Sequence, residues 1–265
     1  MADRTAIEWT DATFNPWWGC TRVSPACAHC YADTLARRYG HQLWDDGSPR
    51  RFFSEQHWAQ PRRWNRQAER AERRLKVFCA SMADVFEEHL ELDPWRRRLW
   101  TLIEETPMLD WQLLTKRPEN VAAMVPWRHR WPANVWIGTS IENARHTFRA
   151  NILRELPASI RFISAEPLLG SLFLNGKPNR QPLDLDGIDW VIAGGESGPR
   201  FRPLNLEWVR ELRDACLDAS IPFFYKQQGG RTPRVGGREL DGRTWSEFPL
   251  RMPLGAAAGA TAIAS

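Results

Sequence analysis

The run Lys76-Val77-Phe78-Cys79-Ala80 sets the pattern that decides the fold. It is short and apolar, follows the charged pair Arg73-Arg74, ends at the polar Ser81, and precedes a helical pattern. Five further runs repeat it: Asp110-Trp111-Gln112-Leu113-Leu114, Val135-Trp136-Ile137-Gly138, Arg161-Phe162-Ile163-Ser164, Asp189-Trp190-Val191-Ile192-Ala193 and Pro222-Phe223-Phe224-Tyr225. A strand covered on both faces reads as a continuous apolar run, and the helices between such runs supply the crossovers of a parallel sheet. Helix candidates lie near 94–106, 117–125, 142–156 and 205–219. Repeated βα units at this spacing predict an α/β fold: a TIM-like barrel or partial barrel, with a doubly wound open sheet as the rival.

Upstream, Thr13-Phe14-Asn15-Pro16-Trp17-Trp18-Gly19 reads as extended and leads into a cysteine loop. A helix is expected from about Tyr31 to Tyr39, an inserted loop over 41–62 and a basic helix over about 62–73. Downstream, Gly229-Gly230, Gly236-Gly237 and Gly242 mark turns around a small hairpin. The expected organisation is a barrel over 1–228, with the inserted loop and basic helix at about 41–74. A small C-terminal extension over 229–253 follows, then a disordered tail over 254–265.

The chain has 265 residues, 43% of them hydrophobic, enough for one sizeable core. No apolar run reaches membrane-spanning length and the first residues carry no secretory h-region, so a cytoplasmic protein without a membrane partner is expected. In that reducing compartment cysteines serve as ligands, catalysts or buried apolar groups more often than as disulfide partners. A net charge of +4 allows a polyanionic partner without requiring one. Arg62, Arg63, Arg66, Arg70, Arg73 and Arg74 read first as a solvated helix face with Glu69 and Glu72, and second as a nucleic-acid contact. Core packing and surface caps account for tryptophans such as Trp111, Trp136, Trp190 and Trp208.

The strongest local signal is Cys20-Thr21-Arg22-Val23-Ser24-Pro25-Ala26-Cys27-Ala28-His29-Cys30. Thiolates are the favoured ligands of iron–sulfur clusters, and three of them leave one iron of a cubane open to another ligand. A zinc knuckle is the plainer reading, with His29 as the nearest fourth ligand, although residues 29 and 30 are awkward as adjacent co-ligands. Three unrelated thiols is the third. No His-x-Glu element accompanies the cysteines, which argues against a zinc deaminase. Cys79 and Cys216 read as buried apolar residues, and His41, His57, His89, His129 and His146 as structural or surface residues.

In a βα barrel the residues just past each strand line the mouth. Here they are polar: Ser81 and Asp84; Thr115, Lys116 and Arg117; Thr139, Ser140, Glu142 and Asn143; Glu166; Gly194-Gly195-Glu196-Ser197; Lys226 and Gln227. Such a set suits a zwitterionic ligand with hydroxyls. Gly194-Gly195-Glu196 also reads as a plain βα turn, and it lacks the spacing of a phosphate loop.

Taken together, several segments resemble a known family. They are Ile7 to Thr13, Gly19 to Ala32, Ser81 to Phe86, Leu114 to Pro118, Gly138 to Asn143, Ser164 to Gly170, Gly194 to Pro199 and Phe223 to Gln227. In that order, over roughly 5–250, they resemble the phage-associated, radical-SAM-like three-cysteine-motif family of unknown function. The resemblance implies a partial (β/α)6 barrel of the radical SAM type. It also implies a [4Fe–4S] cluster on Cys20, Cys27 and Cys30, with S-adenosylmethionine (SAM) on the open iron. Reductive cleavage of SAM would yield a 5′-deoxyadenosyl radical for hydrogen abstraction, fed by an electron donor such as flavodoxin or ferredoxin. The implied cofactor contacts are His29, Tyr31, Ser81, Asp84, Ser140, Glu142, Gly194 and Gly195, and the implied catalytic residues Glu166, Lys116 and Glu196. The chain departs from the superfamily in two respects: its cysteines are spaced six then two rather than three then two, and its Gly-Gly-Glu lies late rather than after the second strand. The expected substrate is unassigned, with nucleic acid or a nucleobase favoured. The alternative is a non-enzymatic, zinc- or cluster-stabilised nucleic-acid-binding protein.

Overall fold

The structure, a computed structural model, describes residues 5–128, 130–173, 182–232 and 235–250. His129 and the tail from 254 lie outside them.

Seven parallel strands form one sheet: β1 (Ala12–Thr13), β2 (Leu75–Cys79), β3 (Leu109–Thr115), β4 (Val135–Ser140), β5 (Ile160–Ala165), β6 (Trp190–Gly194) and β7 (Phe223–Gln227). Their spatial order is their chain order. A doubly wound sheet reverses direction at a switch point, and no reversal occurs here, so that rival is excluded. Right-handed crossovers without reversal put the crossover helices on one face and curl the sheet into a half-barrel. The six apolar runs supply β2–β7. The additional strand, β1, is only two residues long and pairs with Val77 and Phe78, so the sheet has seven strands where the six-unit expectation had six.

Strict alternation along the strands builds two cores. Val77, Cys79, Trp111, Leu113, Val135, Ile137, Ile163, Val191, Ala193, Phe223 and Tyr225 face outward. They pack against α2 (Gln60–Arg70), α3 (Asp93–Glu104), α4 (Pro118–Met124), α5 (Phe148–Arg154) and α6 (Leu206–Asp218). The residues between them, Phe78, Trp136, Phe162, Trp190, Ile192 and Phe224, face inward and pack around Trp9. Trp9 enters from the N-terminal segment and plugs the half-barrel; its ring centroid lies 4.6 Å from that of Phe78. Cys79 and Cys216 are fully buried in the outer core, where burial raises both thiols.

The stretch 41–62 is more ordered than a loop. Arg51–Phe52 pairs antiparallel with Trp17–Trp18, and Glu55–Trp58 forms a helical turn before α2. Arg63, Arg66, Arg70 and Arg73 of α2 and its end form a solvated face, whereas Arg74 turns in against the buried Asp110. Arg62 pairs with Glu105, Arg73 with Asp11 and Arg74 with Asp110. Among the described residues no helix separates β5 from β6. Near the C-terminus, Glu239–Leu240 and Arg243–Thr244 form the expected hairpin. Its turn residues Asp241 and Gly242 both have positive φ, 55° and 74°, as a two-residue primed turn requires. No helix among the described residues is long and apolar enough to cross a membrane.

Candidate functional site

A cavity of about 830 Å³ lies at the C-terminal strand ends, and its lining reaches down to Trp9, Phe78 and Leu114. Cys20, Cys27 and Cys30 all line it as half-buried, unpaired thiols. Pro25 starts a single 3-10 turn over Pro25–Cys27, closed by Cys27 N–H to Ser24 O at 2.9 Å. Cys30 then caps α1 (Tyr31–Arg38), its carbonyl accepting from Thr34 N–H at 3.1 Å. Turn and helix together shape the loop between the first and last thiols.

Four arginines clamp this loop. Arg22 donates to Asp33 at 2.5 Å and to the carbonyl of Trp44 at 2.8 Å. Arg50 donates to Glu87 at 2.7 Å and to Thr21 Oγ1 at 3.2 Å, and Glu87 accepts from Thr21 N–H at 2.7 Å. Arg117 donates to the carbonyl of Thr21 at 2.7 Å, to Asp84 at 2.9 Å and to Cys20 Sγ at 3.8 Å. Arg202 donates to the carbonyl of Pro25 at 3.0 Å. Burial, and after it the Asp84 carboxylate, push the Cys20 thiol up to about 12 against the pull of Arg117. Such a sulfur stays protonated unless a metal takes the place of its proton.

Glu196 joins the loop to the end of β6. It accepts from Arg202 N–H at 2.8 Å and Nε at 3.0 Å, and lies 3.1 Å from His29 Nδ1. Burial alone would raise this carboxyl; the Arg202 hydrogen bonds and the His29 contact outweigh it and hold it below the usual range. His29 thus meets a carboxylate through Nδ1 and lines the same cavity as the three sulfurs. Among the described residues, no three His, Cys, Asp or Glu side chains are gathered so as to hold a metal ion.

The remaining expected site residues divide. Lys116 donates to Ser140 Oγ at 3.3 Å, Glu166 pairs with Lys226, and all four line the cavity. Ser81 lines it beside Tyr31, whose hydroxyl donates to the Ser81 carbonyl at 2.6 Å. Asp84 lines it too, but Thr115 Oγ1 at 2.8 Å, Lys116 N–H at 3.1 Å and Arg117 already occupy its oxygens. Gly195 touches the cavity, and a Cβ there would fall 1.9 Å from the Gln228 carbonyl oxygen. Gly194 and Glu142 are not among the lining residues. The ladder of β4 ends at Ser140, so alternation no longer directs Glu142 inward. Its fully buried carboxylate instead binds Arg149 at 3.0 Å and lies 3.5 Å from His146. Arg22, Arg50, Glu87 and Arg202 are site residues that strand-end reasoning missed. Only Arg22, inside the cysteine segment, carried a positional signal.

A model for a family described as protein of unknown function (DUF5131) matches residues 4–249. The chain belongs to this family. Among curated proteins, none matches it. Among solved structures it is similar to a mutant spore photoproduct lyase with bound AdoMet and dinucleoside spore photoproduct, at 15% identity and a TM-score of 0.48. It is also similar to spore photoproduct lyase complexed with dinucleoside spore photoproduct, at 14% identity and a TM-score of 0.48. Both matches cover 81% of this family member and 63% of the matched chain, so it spans less than two thirds of their length.

Proposed function

We propose that the protein is a radical SAM enzyme, with a [4Fe–4S] cluster held by Cys20, Cys27 and Cys30. The observation that carries this reading is the arrival of three unpaired thiols from one clamped loop at one cavity rimmed by polar strand ends. The residues fit the group. Each thiolate of a cubane binds a different iron, so its ligands need not crowd around a single ion. A volume of about 830 Å³ suits a nucleoside-sized cofactor with a substrate group beside it. With SAM bound, the cluster would supply a 5′-deoxyadenosyl radical that abstracts hydrogen, the electron coming from a carrier such as flavodoxin or ferredoxin. His29, Tyr31, Ser81, Ser140 and Gly195 line the part assigned to the cofactor. Lys116, Glu166 and Lys226 face the substrate, and Glu196 orients the cysteine loop.

The charge of the cavity favours an anionic substrate, and within that class nucleic acid or a nucleotide. Its four lining acids are all paired: Glu8 with Arg238, Asp84 with Arg117, Glu166 with Lys226 and Glu196 with Arg202. Strand-end carboxylates that would repel phosphates are thus neutralised. Arg38 and Arg200, exposed on the same lining, have no acidic partner among the described residues. The charge balance equally serves a non-enzymatic nucleic-acid binder, which the assay separates.

Anaerobic reconstitution should load about four irons per chain with thiolate-to-iron absorbance. With SAM and a reductant it should release 5′-deoxyadenosine. Cys27→Ala should lose both. Full iron and 5′-deoxyadenosine from that variant would overturn the reading, and salt-sensitive DNA binding without SAM cleavage would favour the binder.

A further inference from the structure

We infer that Arg117 tunes the reduction potential of the cluster proposed on Cys20, Cys27 and Cys30, acting through Cys20 as a positioning residue. The inference rests on that reading of the site. Arg117 follows β3 by two residues and is buried. Its backbone N–H donates to Thr115 Oγ1 at 2.9 Å, which fixes where the side chain starts. Its guanidinium is fixed at the other end by the Thr21 carbonyl and by Asp84, and the same Nη1 that meets Asp84 lies 3.8 Å from Cys20 Sγ. Asp84 is itself held by Thr115 Oγ1, Lys116 N–H and Phe86 N–H, so the pair cannot drift from the sulfur.

The second ion pair on the loop behaves differently. Arg50 and Glu87 satisfy each other and the Thr21 amide and hydroxyl, and neither is hydrogen-bonded to a cysteine sulfur. Of the four charged groups beneath Cys20, Arg117 alone donates to the sulfur. An electron added to a cluster adds negative charge. A fixed cation and N–H donor on a ligand sulfur stabilise that state, and more so where water screens little. Asp84 opposes the effect. The two groups therefore form a balance whose arms can be removed separately.

The test is a redox titration of reconstituted protein, without SAM, monitored by the spin signal of the reduced cluster. Arg117→Met should lower the ratio of reduced to oxidised cluster at a fixed potential at least about tenfold, equivalent to about 59 mV for one electron. Asp84→Asn should move the potential upward, Arg117→Lys should stay near wild type, and the combined Arg117→Met, Asp84→Asn protein should return towards it. A cluster-loaded Arg117→Met protein with an unmoved potential would overturn the inference, as would single variants that shift in the same direction. If Arg117→Met fails to hold iron, Arg117→Gln, which removes the charge and keeps an N–H donor, decides: an unmoved potential rejects the role of Arg117. Wild-type protein that takes up no iron defeats the cluster reading itself. Wild-type protein that loads normally while the variants stay unshifted defeats Arg117 alone.

Discussion

The ring of Phe162 occupies the space that a side chain on Gly138 would need: a Cβ there would lie 2.4 Å from two of its ring carbons. The two residues are register partners on the inward face of β4 and β5. Gly138→Ala should therefore overpack the half-barrel and lower stability by about 1–3 kcal/mol in urea denaturation. Adding Phe162→Leu should recover part of the loss. A Gly138→Ala protein as stable as wild type would contradict this packing.

Arg50 and Glu87 form a buried ion pair, with side chains 0% and 3% exposed. Removing one partner strands the other away from water. Arg50→Met should destabilise the fold by about 3–5 kcal/mol. Arg50→Met, Glu87→Leu should recover much of that stability while still losing iron, because the Thr21 amide and hydroxyl are released and only its carbonyl stays held, by Arg117. Calorimetry and iron analysis on the two proteins separate the effects.

Glu196 and Arg202 hold the cysteine loop from the far side of the barrel. Groups that orient ligands typically contribute about 10–100-fold to metal affinity. Glu196→Gln should release iron to a chelator faster by a factor in that range, with little change in thermal midpoint. A matching release rate would remove Glu196 from the loop's support.

His57 is sandwiched between Phe14 and Phe53, with Nε2 2.8 Å from the Asn15 carbonyl. Burial, only partly opposed by that hydrogen bond, lowers its titration below the ordinary value. The unfolded chain then binds the proton more readily than the folded one, so stability falls as pH drops below about 6.5. His57→Gln should flatten that part of the stability curve between pH 7.5 and 5. Parallel curves for the two proteins would show that another group carries the slope.

The sheet is legible from residues because both faces of its strands are buried, so Trp190-Val191-Ile192-Ala193 reads as apolar throughout. β1 is not, since Ala12-Thr13 pairs over only two positions. The same brevity hides the pairing of Trp17-Trp18 with Arg51-Phe52. The cysteine loop is visible because its three sulfurs are local. Its support is not: Arg117 meets Thr21 across 96 positions and Arg50 meets Glu87 across 37, and nothing in an arginine's neighbours marks its distant partner. Glu142 illustrates the converse. Its place just after a strand suggested the cavity, yet an arginine seven residues on claimed its carboxylate.

β1 and β7 stand at opposite edges of the sheet and share no backbone ladder. Side chains lace the two ends of the chain together instead: Arg202 to the Pro25 carbonyl and Glu196 to His29 near the mouth, and Arg238 to Glu8 at 2.8 Å. A tube sealed all round by peptide hydrogen bonds admits only what fits down its axis. A seam stitched by a handful of side-chain contacts carries no such constraint, since it parts without breaking a rung of the sheet.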